Sequence, residues 1–335
     1  MTPEMTLSLV IPVWNDPEHL LELLDQAVNL RLFSQIIIAD DASDPPCDPA
    51  QLGFDSNGFD GELLYLRSDR QRGAGHARNI GLDAVSGSHV LFFDADDRLL
   101  PGLALLLQDL QGHSFDFCLF KHADSRQQAE GLERPLPLDA QIWQQAGIQP
   151  GGQAGDAGTL HQLSTAQAEQ LCLISAYPWN KIYRTTFLRD QGIRCTEIPV
   201  HNDAALHWLS FIKAQTILAS NRLGCTHVVE KGGSRLTNRR QRDRLQVFQA
   251  LEQICDALES SPGGGRFIVP YLGFCDRLFT WILNQALDPG LRPQFQHRAC
   301  AHLLARLRPE YVTLFAQADP AAAARLNAIL AGGRR

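Results

Sequence analysis

Three carboxylates follow directly on an apolar stretch, because residues 89–93 read His-Val-Leu-Phe-Phe and residues 94–97 read Asp-Ala-Asp-Asp. Asp94 and Asp96 are two positions apart, so in an extended segment both side chains leave from the same face. Crowded carboxylates repel one another unless a cation joins them, and oxygen ligands suit Mg²⁺ or Mn²⁺ carrying a diphosphate. The motif therefore indicates a divalent-metal site. The alternative is a solvated turn with helix-capping carboxylates, the role we assign to Asp97.

The elements that must position this motif are strands and helices in alternation. Short apolar runs predict strands at residues 7–13, 35–39, 63–66 and 89–93, and amphipathic patterns predict helices at residues 17–28 and 75–85. This order is typical of an α/β fold with a parallel sheet flanked by helices, which binds ligands outside the carboxyl ends of its strands. Asn15, Asp40, Asp41 and Arg67 are predicted at the same rim as the acidic motif. Each of them alone is also explained by an ordinary strand-end turn.

A second candidate anion site lies at residues 72–81, where Gly73, Gly75, Arg78 and Asn79 surround the start of a predicted helix. Free backbone N–H groups at a helix N-terminus favour a bound anion. The segment lacks the Lys-Ser/Thr pair of a P-loop and the pattern G-x-G-x-x-G. The alternative is that the glycines permit close packing and that Arg78 pairs with a neighbouring carboxylate.

The remainder of the chain divides into a mixed part and a helical part. We predict a helix at residues 103–110, a strand at 115–120, a loop or lid at 135–158, a helix at 204–211 and a strand at 215–219. Beyond residue 238 the pattern predicts helices alone, at residues 241–259, 267–286, 295–307 and 321–330. A chain of 335 residues exceeds one ordinary core. We therefore expect a sheet domain at 1–240, with halves at 1–98 and 99–240, and a C-terminal all-helical extension at 241–335.

Composition limits the function classes. Hydrophobic residues make up 44% of the chain and charged residues 20%, as in globular proteins, and the net charge of -7 argues against a general nucleic-acid binder. The eight cysteines form no C-x-x-C pair, which favours buried, reduced thiols in a cytoplasmic protein. The N-terminus lacks a signal-peptide pattern, and no segment reaches the ~18 apolar residues of a membrane span.

Four motifs in order carry a family resemblance. They are Val-Ile-Pro-Val-Trp-Asn at residues 10–15, Asp-Asp-Ala-Ser-Asp at 40–44, Gly-His-Ala-Arg-Asn-Ile-Gly at 75–81, and Asp-Ala-Asp-Asp at 94–97. The chain resembles the family 2 glycosyltransferases, which have a GT-A-type (Rossmann-like) nucleotide-sugar-binding fold. The resemblance covers residue 6 to about residue 98 well. It continues more weakly, through residues 179–184 and 201–203, to about residue 240, and the terminal helices lie outside it.

The resemblance implies a donor site at the rim of the sheet. Asp41 would accept a hydrogen bond from the base, although Ala42 stands where the family has glycine. Arg78 would lie near the diphosphate, and Asp94 would meet the ribose or metal-bound water. Asp96 would ligate Mn²⁺ or Mg²⁺. The residues implied to bind the donor nucleotide are Pro12, Val13, Asn15, Asp40, Asp41, Arg78, Asp94 and Ala95.

The resemblance also implies a catalytic base. The family carries an acidic pair before a helix, and its second member is the base; here residues 201–203 read His-Asn-Asp, so Asp203 keeps the position while Asn202 departs from the usual Glu. A base is needed because a hydroxyl is a weak nucleophile until its proton has an acceptor. One carboxylate suffices in an inverting displacement when a metal stabilises the departing diphosphate. Asp203 also occupies an N-cap position.

Further candidates surround this motif. Trp179 is either a platform for a sugar ring or a packed core residue. His201 and His227 are either contacts to the metal or diphosphate or structural histidines. A basic stretch is either a cover for the diphosphate or a solvated loop, and it consists of Lys231, Ser234, Arg235, Arg239 and Arg240. The candidate acceptor or diphosphate contacts are Trp179, Asn180, Lys181, His201 and Asn202.

The predicted function is a metal-dependent, inverting glycosyltransferase of polysaccharide biosynthesis. It would move a sugar from a nucleotide diphosphate donor, foremost a UDP-sugar, to a saccharide or lipid-linked acceptor. A phosphatase with an Asp-x-Asp nucleophile is one alternative, but that motif belongs on a first strand and precedes Thr or Val, not Arg98. A nucleotide-sugar-binding protein without turnover, with a helical tail that recruits partners, is another.

The C-terminal helices leave four roles open. They could complete the acceptor pocket, pack as a bundle on the core, form a homodimer interface, or make peripheral contact with the inner face of the membrane. Their apolar stripes favour core packing.

Overall fold

The computed structural model describes residues 5–129, 132–148, 160–229 and 242–333. The strands within these ranges are β1 (Leu7–Val13), β2 (Gln35–Asp40), β3 (Glu62–Arg67), β4 (His89–Phe92), β5 (Arg98–Leu99), β6 (Phe117–Ala129), β7 (Leu132–Arg134), β8 (Leu160–Gln162), β9 (Lys181–Arg184) and β10 (Ile217–His227). The α-helices are α1 (Pro17–Leu30), α2 (Ala74–Ala84), α3 (Gly102–Leu110), α4 (Pro137–Gln145), α5 (Thr165–Leu171), α6 (Thr185–Asp190), α7 (Ala204–Lys213), α8 (Val247–Ser260), α9 (Ile268–Trp281), α10 (Arg292–Arg306), α11 (Pro309–Ala318) and α12 (Pro320–Gly333). Short 3₁₀ turns span Arg242–Gln246, Gly264–Phe267 and Pro289–Leu291, and a π-helical turn spans Ile282–Ala286.

The strands form one mixed sheet in the order β3-β2-β1-β4-β9-β6-β10-β5, with β7 and β8 paired to β6 and β10. Strands β3, β2, β1 and β4 are mutually parallel. Strand β9 is antiparallel to both β4 and β6, and β10 is parallel to β6, so the long strands other than β9 share one direction. The prediction of a mostly parallel sheet is confirmed, and the carboxyl ends of β1, β2, β3 and β4 meet at one rim.

Helices cover both faces of this sheet, as the continuous apolar strands require. In β1, Leu9 and Ile11 face the core beneath α1 and α3, whereas Val10 faces the opposite core, beneath α2. Helix α2 approaches β1 so closely that a Cβ atom on Gly81 would lie 2.4 Å from Val10 Cγ1. The predicted close-packing role of the glycines is thus confirmed at this position, and α2 is held firmly against the rim.

Two of our predictions for local structure are wrong. Residues 135–158 are predicted as a loop or lid, but α4 occupies part of that range, with Pro137 at its first turn and Ile142 and Trp143 buried; residues 149–159 lie outside the described residues. Helix α11 is also missing from our predictions, and Phe315 is its one buried residue. The four predicted C-terminal helices are therefore five.

The C-terminal helices pack against the sheet domain through a continuous hydrophobic core. Trp208 of α7 lies 5.7 Å from Tyr271 and 5.3 Å from Phe274 of α9, measured between ring centroids. Phe248 of α8 contacts Phe279 and further rings of the same core. Core packing is confirmed for this face. The domain boundary at residues 240 and 241 falls outside the described residues and stays a prediction.

Two further sequence expectations concern burial and membranes. All eight cysteine side chains are buried, as expected of small apolar residues. Across the described ranges, the helices are too short or too polar for any of them to span a bilayer.

Candidate active site

The turn after β2 is built around Asp40, which is buried and hydrogen-bonded through both carboxylate oxygens. Its carboxylate accepts from the backbone N–H groups of Ser43 (2.7 Å) and Cys47 (3.0 Å) and from the Tyr65 hydroxyl (2.6 Å). Burial alone would raise the pKa of Asp40, but these hydrogen bonds outweigh it and lower the pKa. Asp40 therefore shapes the turn that supports the neighbouring predicted nucleotide contacts.

Asn15, in the turn after β1, and Asp41, in the turn after β2, lie in two turns that are joined by hydrogen bonds. Asn15 has a left-handed φ of 52°, and its Oδ1 accepts a hydrogen bond from the backbone N–H of Asp44 at 2.7 Å. Asp41 accepts from the backbone N–H groups of Arg72 (2.8 Å) and Gly73 (2.6 Å). Ala42, which stands in the place of the family's glycine, has a φ of 63°, a conformation that glycine adopts without strain. Ala42 therefore adopts this left-handed turn conformation at a conformational cost.

The remaining predicted donor contacts lie on the same rim. Pro12 and Val13 are buried in the last residues of β1, where they pair with Ala39 and Asp40 of β2. Ala95 is 7% exposed beside the acidic motif. The structure therefore brings the predicted nucleotide-binding residues together at the carboxyl ends of β1, β2 and β4.

Arg78 connects the donor side with the acceptor motif. It lies buried on α2, forms an ion pair with Asp94, and donates through Nη1 to Asn202 Oδ1 at 2.7 Å. The nearby carboxylate of Asp94 outweighs the effect of burial and raises the pKa of Arg78, so the guanidinium stays charged. The predicted proximity of Arg78 to Asp94 is confirmed, and the pairing places two motifs that are far apart in sequence against one side chain.

The three carboxylates after β4 have different environments. Asp94 and Asp96 are partly exposed, whereas Asp97 is 2% exposed and binds His227 Nδ1 and the backbone N–H of Val228, both at 2.9 Å. Our assignment of Asp97 as the cap of the next turn is wrong, because its partners come from the end of β10. Burial raises the pKa of Asp97, while Asp97 in turn raises the pKa of His227.

The residues present fit a hard divalent cation. Asp96 offers a partly exposed carboxylate, and Oδ2 of its neighbour Asp97 is buried with no hydrogen-bond partner among the described residues. In the part of the chain that the structure describes, no group of three or more His, Cys, Asp or Glu side chains is arranged to hold a metal by itself. Magnesium and similar ions commonly use one or two carboxylates and complete their shell with water and substrate phosphate. The rim thus suits a metal that arrives with a phosphorylated ligand.

The acceptor motif precedes α7. His201 has a left-handed φ of 61°, which turns the chain so that Asn202 faces Arg78. Asp203 stands at the N-cap position, yet its side chain makes no capping hydrogen bond. Burial raises the pKa of Asp203 to about 6, and the charge of Arg78 opposes that shift. The Asp203 side chain therefore does not act as the N-cap of α7, which was the alternative role that the sequence allowed.

Trp179 lies in an aromatic stack and is 1% exposed. Its ring is 4.4 Å from Tyr177 with an interplanar angle of 14°, and 5.3 Å from His227 at 27°. Asn180 and Lys181 are also fully buried; Lys181 Nζ donates to Tyr177 O at 2.7 Å and to Asn180 Oδ1 at 2.6 Å. Burial lowers the pKa of Lys181 to about 7. In this structure Trp179 is enclosed by other rings, and Asn180 and Lys181 are hydrogen-bonded within the protein; their predicted role as acceptor or diphosphate contacts stays a prediction.

Several residues at the site have no local sequence signal. Glu197 pairs with Arg72 Nη2 at 2.9 Å and so ties the start of α2 to the loop before the acceptor motif. Arg244 Nη1 lies 3.0 Å from His201 Nε2, and Trp281 contacts the same imidazole edge-on. These contacts bridge segments far apart in the chain, which no motif spacing reveals. The basic stretch from Lys231 to Arg240 lies outside the described residues.

A comparison with protein families shows which family the four sequence motifs indicate. Residues 8–154 match the family model described as Glycosyl transferase family 2. Residues 8–154 belong to glycosyltransferase family 2. The predicted family is confirmed, and the motifs from Asn15 to Asp97 all lie within the matched segment.

Two curated glycosyltransferases are similar to part of the chain. The chain is 31% identical over 122 residues to the GalNAc(5)-diNAcBac-PP-undecaprenol beta-1,3-glucosyltransferase of Campylobacter jejuni, which is 34% of this chain and 38% of the relative. It is 35% identical over 99 residues to the amylovoran biosynthesis glycosyltransferase AmsB of Erwinia amylovora, which is 28% of this chain and 32% of that protein. The match therefore spans less than two fifths of either relative.

Solved structures extend the likeness to the whole chain. TarS of Staphylococcus aureus, residues 1–349 in complex with UDP-GlcNAc, has a TM-score of 0.70 at 18% identity and covers 98% of this chain and 92% of its own. The mannosyltransferase PcManGT of Pyrobaculum calidifontis, in complex with GDP-Man and Mn²⁺, has a TM-score of 0.53 at 15% identity and covers 99% and 88%. These matches confirm the GT-A-type fold and include the C-terminal helices, which the sequence resemblance does not reach.

Proposed function

We propose that this protein is an inverting glycosyltransferase that moves a sugar from a nucleotide diphosphate donor to a saccharide or lipid-linked acceptor. The observation that carries the proposal is the position of Arg78, which contacts Asp94 of the donor motif and Asn202 of the acceptor motif. A transferase needs its donor and acceptor sites adjacent, because the reacting atoms must be brought to within about 3–3.5 Å. Arg78 joins the two motifs directly.

The donor assignment rests on the rim of the sheet and on the structural neighbours. TarS is described with UDP-GlcNAc and PcManGT with GDP-Man, so the same fold accommodates nucleotide sugars. The adjacent turns that carry Asn15 and Asp41 would receive the nucleotide, with a UDP-sugar as our first choice. Arg78, already charged and held in place, would stabilise negative charge that develops on the departing diphosphate.

The chemistry on the acceptor side is assigned to Asp203. With a pKa of about 6, its carboxyl is largely ionised at neutral pH and can take the proton of the attacking acceptor hydroxyl. Asn202, held by Arg78, would orient the loop that presents Asp203. Asp96 would hold Mn²⁺ or Mg²⁺ with the diphosphate, with Asp97 and His227 behind it. That cation, when bound, neutralises the leaving group.

The cellular setting is proposed from the relatives. The C. jejuni relative is named for a glycan carried on undecaprenol, and the E. amylovora relative is named for amylovoran biosynthesis. These names support a role in polysaccharide biosynthesis with a saccharide or lipid-linked acceptor. We place the protein in the cytoplasm, with peripheral contact at the inner face of the membrane where the acceptor is lipid-linked.

The direct test is a calorimetric screen of UDP-GlcNAc, UDP-Gal, UDP-Glc and GDP-Man with the full chain and Mn²⁺. We expect a UDP-sugar to bind and EDTA to weaken its binding roughly tenfold or more, because the diphosphate loses its counter-charge. Asp96→Asn should reproduce the effect of EDTA. Failure of every donor to bind would refute the proposal.

Binding without turnover remains the competing function, and product analysis separates it from transfer. Release of free nucleotide and formation of a glycosylated product with the donor identified in the screen would support the enzyme. Tight donor binding with no sugar transfer to any saccharide or lipid-linked acceptor would favour the binding protein.

A further inference from the structure

A groove of about 250 Å³ lies on the C-terminal helices, between the second half of α9, the turn that follows it and Arg325 of α12. Small-molecule sites in proteins usually have volumes of about 300–1,000 Å³, so the groove approaches the size of a site for one ring. The side chains that line it and carry the argument are Asp276, Thr280, Trp281, Asn284, Gln285 and Arg325. They combine one large aromatic ring with hydrogen-bonding groups.

Trp281 provides the apolar part of the groove. Its side chain is 37% exposed at the end of α9, although most of the large aromatic residues of this chain are buried. The Arg244 guanidinium lies over the Trp281 ring at 4.8 Å from its centroid. Arg244 and His201, both from other segments of the chain, therefore flank this ring. A partly exposed indole offers a flat apolar surface to the C–H face of a sugar ring.

The polar part of the groove comes from the turn that follows. Asn284 and Gln285 are exposed within the π-helical turn Ile282–Ala286, and such turns often occur at functional sites. An amide side chain both donates and accepts hydrogen bonds, as does a sugar hydroxyl. Asp276 is 2% exposed and is held by Arg325 at 2.6 Å. The groove therefore presents hydroxyl-compatible groups around an aromatic ring.

One groove residue, Trp281, contacts His201, which stands two positions before the proposed base. The Trp281 ring meets the His201 imidazole edge-on, with 5.9 Å between centroids, and Arg244 Nη1 lies 3.0 Å from His201 Nε2. His201 precedes Asp203 by two residues, which span at most about 7 Å of chain. A saccharide held on Trp281 thus lies beside the loop that carries Asp203.

We infer that this groove binds the saccharide chain of the acceptor. The inference rests on the proposed transferase function and narrows it, because the acceptor is then recognised through its sugar units. Trp281 is a specificity-determining residue, and the C-terminal helices form one wall of the acceptor site.

The test begins with the fluorescently labelled full chain on a printed array of hexose, N-acetylhexosamine and uronate oligosaccharides. We expect a subset to bind. For the best glycan, Trp281→Ala should weaken binding roughly tenfold or more, and Trp281→Phe should retain most of it, because an aromatic face remains. Asn284→Ala should weaken binding less. Leu304→Ala, which alters a side chain 58% exposed on α10, is the control and should bind as the wild type.

Two measurements keep this test separate from that of the proposed function. Thermal unfolding of each variant shows whether Trp281→Ala still folds, and UDP-GlcNAc calorimetry with Mn²⁺ reports the donor site, which Trp281→Ala should leave unchanged. If no array glycan binds, or if folded Trp281→Ala binds as the wild type does, the inference is overturned. If glycan binding depends on Trp281 while no donor binds, the result supports a glycan-binding groove and refutes the transferase proposal.

Discussion

The donor rim and the C-terminal helices are stabilised by different interactions. At the rim, buried polar groups partner one another: Asp40 accepts three hydrogen bonds, Asp41 accepts two from backbone, and Arg78 pairs with Asp94. The helices are held by contacts between aromatic rings, such as Trp208 against Tyr271. Polar partners act through direction and charge, whereas packed rings act through area and volume.

This contrast separates function from stability. A polar group at the rim can be replaced by an isosteric one with little loss of packing, so its loss should appear mainly in activity. A buried ring in the helices cannot be removed without leaving a cavity, so its loss should appear mainly in the free energy of unfolding. The next four experiments test that separation.

Asp203→Asn should have the largest effect. Loss of a general base slows the chemical step by about 10²–10⁴-fold, while the amide keeps the shape of the side chain. We expect kcat/KM for sugar transfer to fall by that factor, with donor affinity unchanged in calorimetry. Asp256→Asn, at an exposed position on α8, is the matched control and should keep full activity. Unchanged transfer by Asp203→Asn would remove the proposed base.

Trp208→Ala should have the second-largest effect, a loss of stability. Trp208 is fully buried between α7 and α9, so the cavity should cost about 3–5 kcal/mol in the free energy of unfolding measured with urea. Trp208→Phe should cost less than about 1.5 kcal/mol, because Trp208 Nε1 has no hydrogen-bond partner among the described residues. Equal losses in both variants would contradict a volume-based account of this interface.

The pH dependence of transfer should show a third, intermediate effect. The Asp203 pKa is raised to about 6, so the active carboxylate is lost as pH falls through 6, and kcat/KM should drop about tenfold per pH unit below it. Stability should move the other way. A raised carboxyl pKa stabilises the folded state at acid pH, and that contribution is lost as pH rises through about 6.

Asp203→Asn provides the control for both pH measurements. The free energy of unfolding of Asp203→Asn should not decrease as pH rises through about 6, as that of the wild type does. The residual transfer rate of this variant should no longer fall as pH drops below 6. A wild-type rate profile that is flat between pH 5 and 7 would contradict the assignment.

Leu304→Ala should have the smallest effect. Leu304 is 58% exposed on α10, and substitutions at such positions usually change stability by less than about 0.5 kcal/mol. We expect unchanged urea unfolding and unchanged transfer. A larger loss of stability would mean that this surface is covered in solution, which size-exclusion chromatography with light scattering would detect.

The alternation of strands and helices in the first hundred residues and the donor motifs follow from sequence because their signals are local. Residues 35–39 form an uninterrupted apolar run that a central strand requires, and the turn residues after β1, β2 and β4 follow immediately. The parallel topology then carries Asn15, Asp41 and Asp96 to one rim without further information. The pairing of Arg78 with Asp94 is predictable for the same reason.

Contacts between residues that are far apart in the sequence could be found only from the tertiary structure. His227 binds Asp97, and Trp281 contacts His201. No motif or spacing in the sequence singles out either pair. Helix α11 was not predicted, although Tyr311, Leu314 and Phe315 have the i, i+3, i+4 spacing of a helix.

The sequence by itself determined the α/β fold, the family of residues 8–154 and the chemical types at the donor rim, because hydrophobic period and strand-end turns are encoded within a few residues. Tertiary structure alone decided that Arg78 joins the donor and acceptor motifs, that Trp179 is enclosed in an aromatic stack, and that the C-terminal helices reach His201. Those contacts depend on how separate elements pack, and packing is fixed by the complementary shapes of many side chains at once.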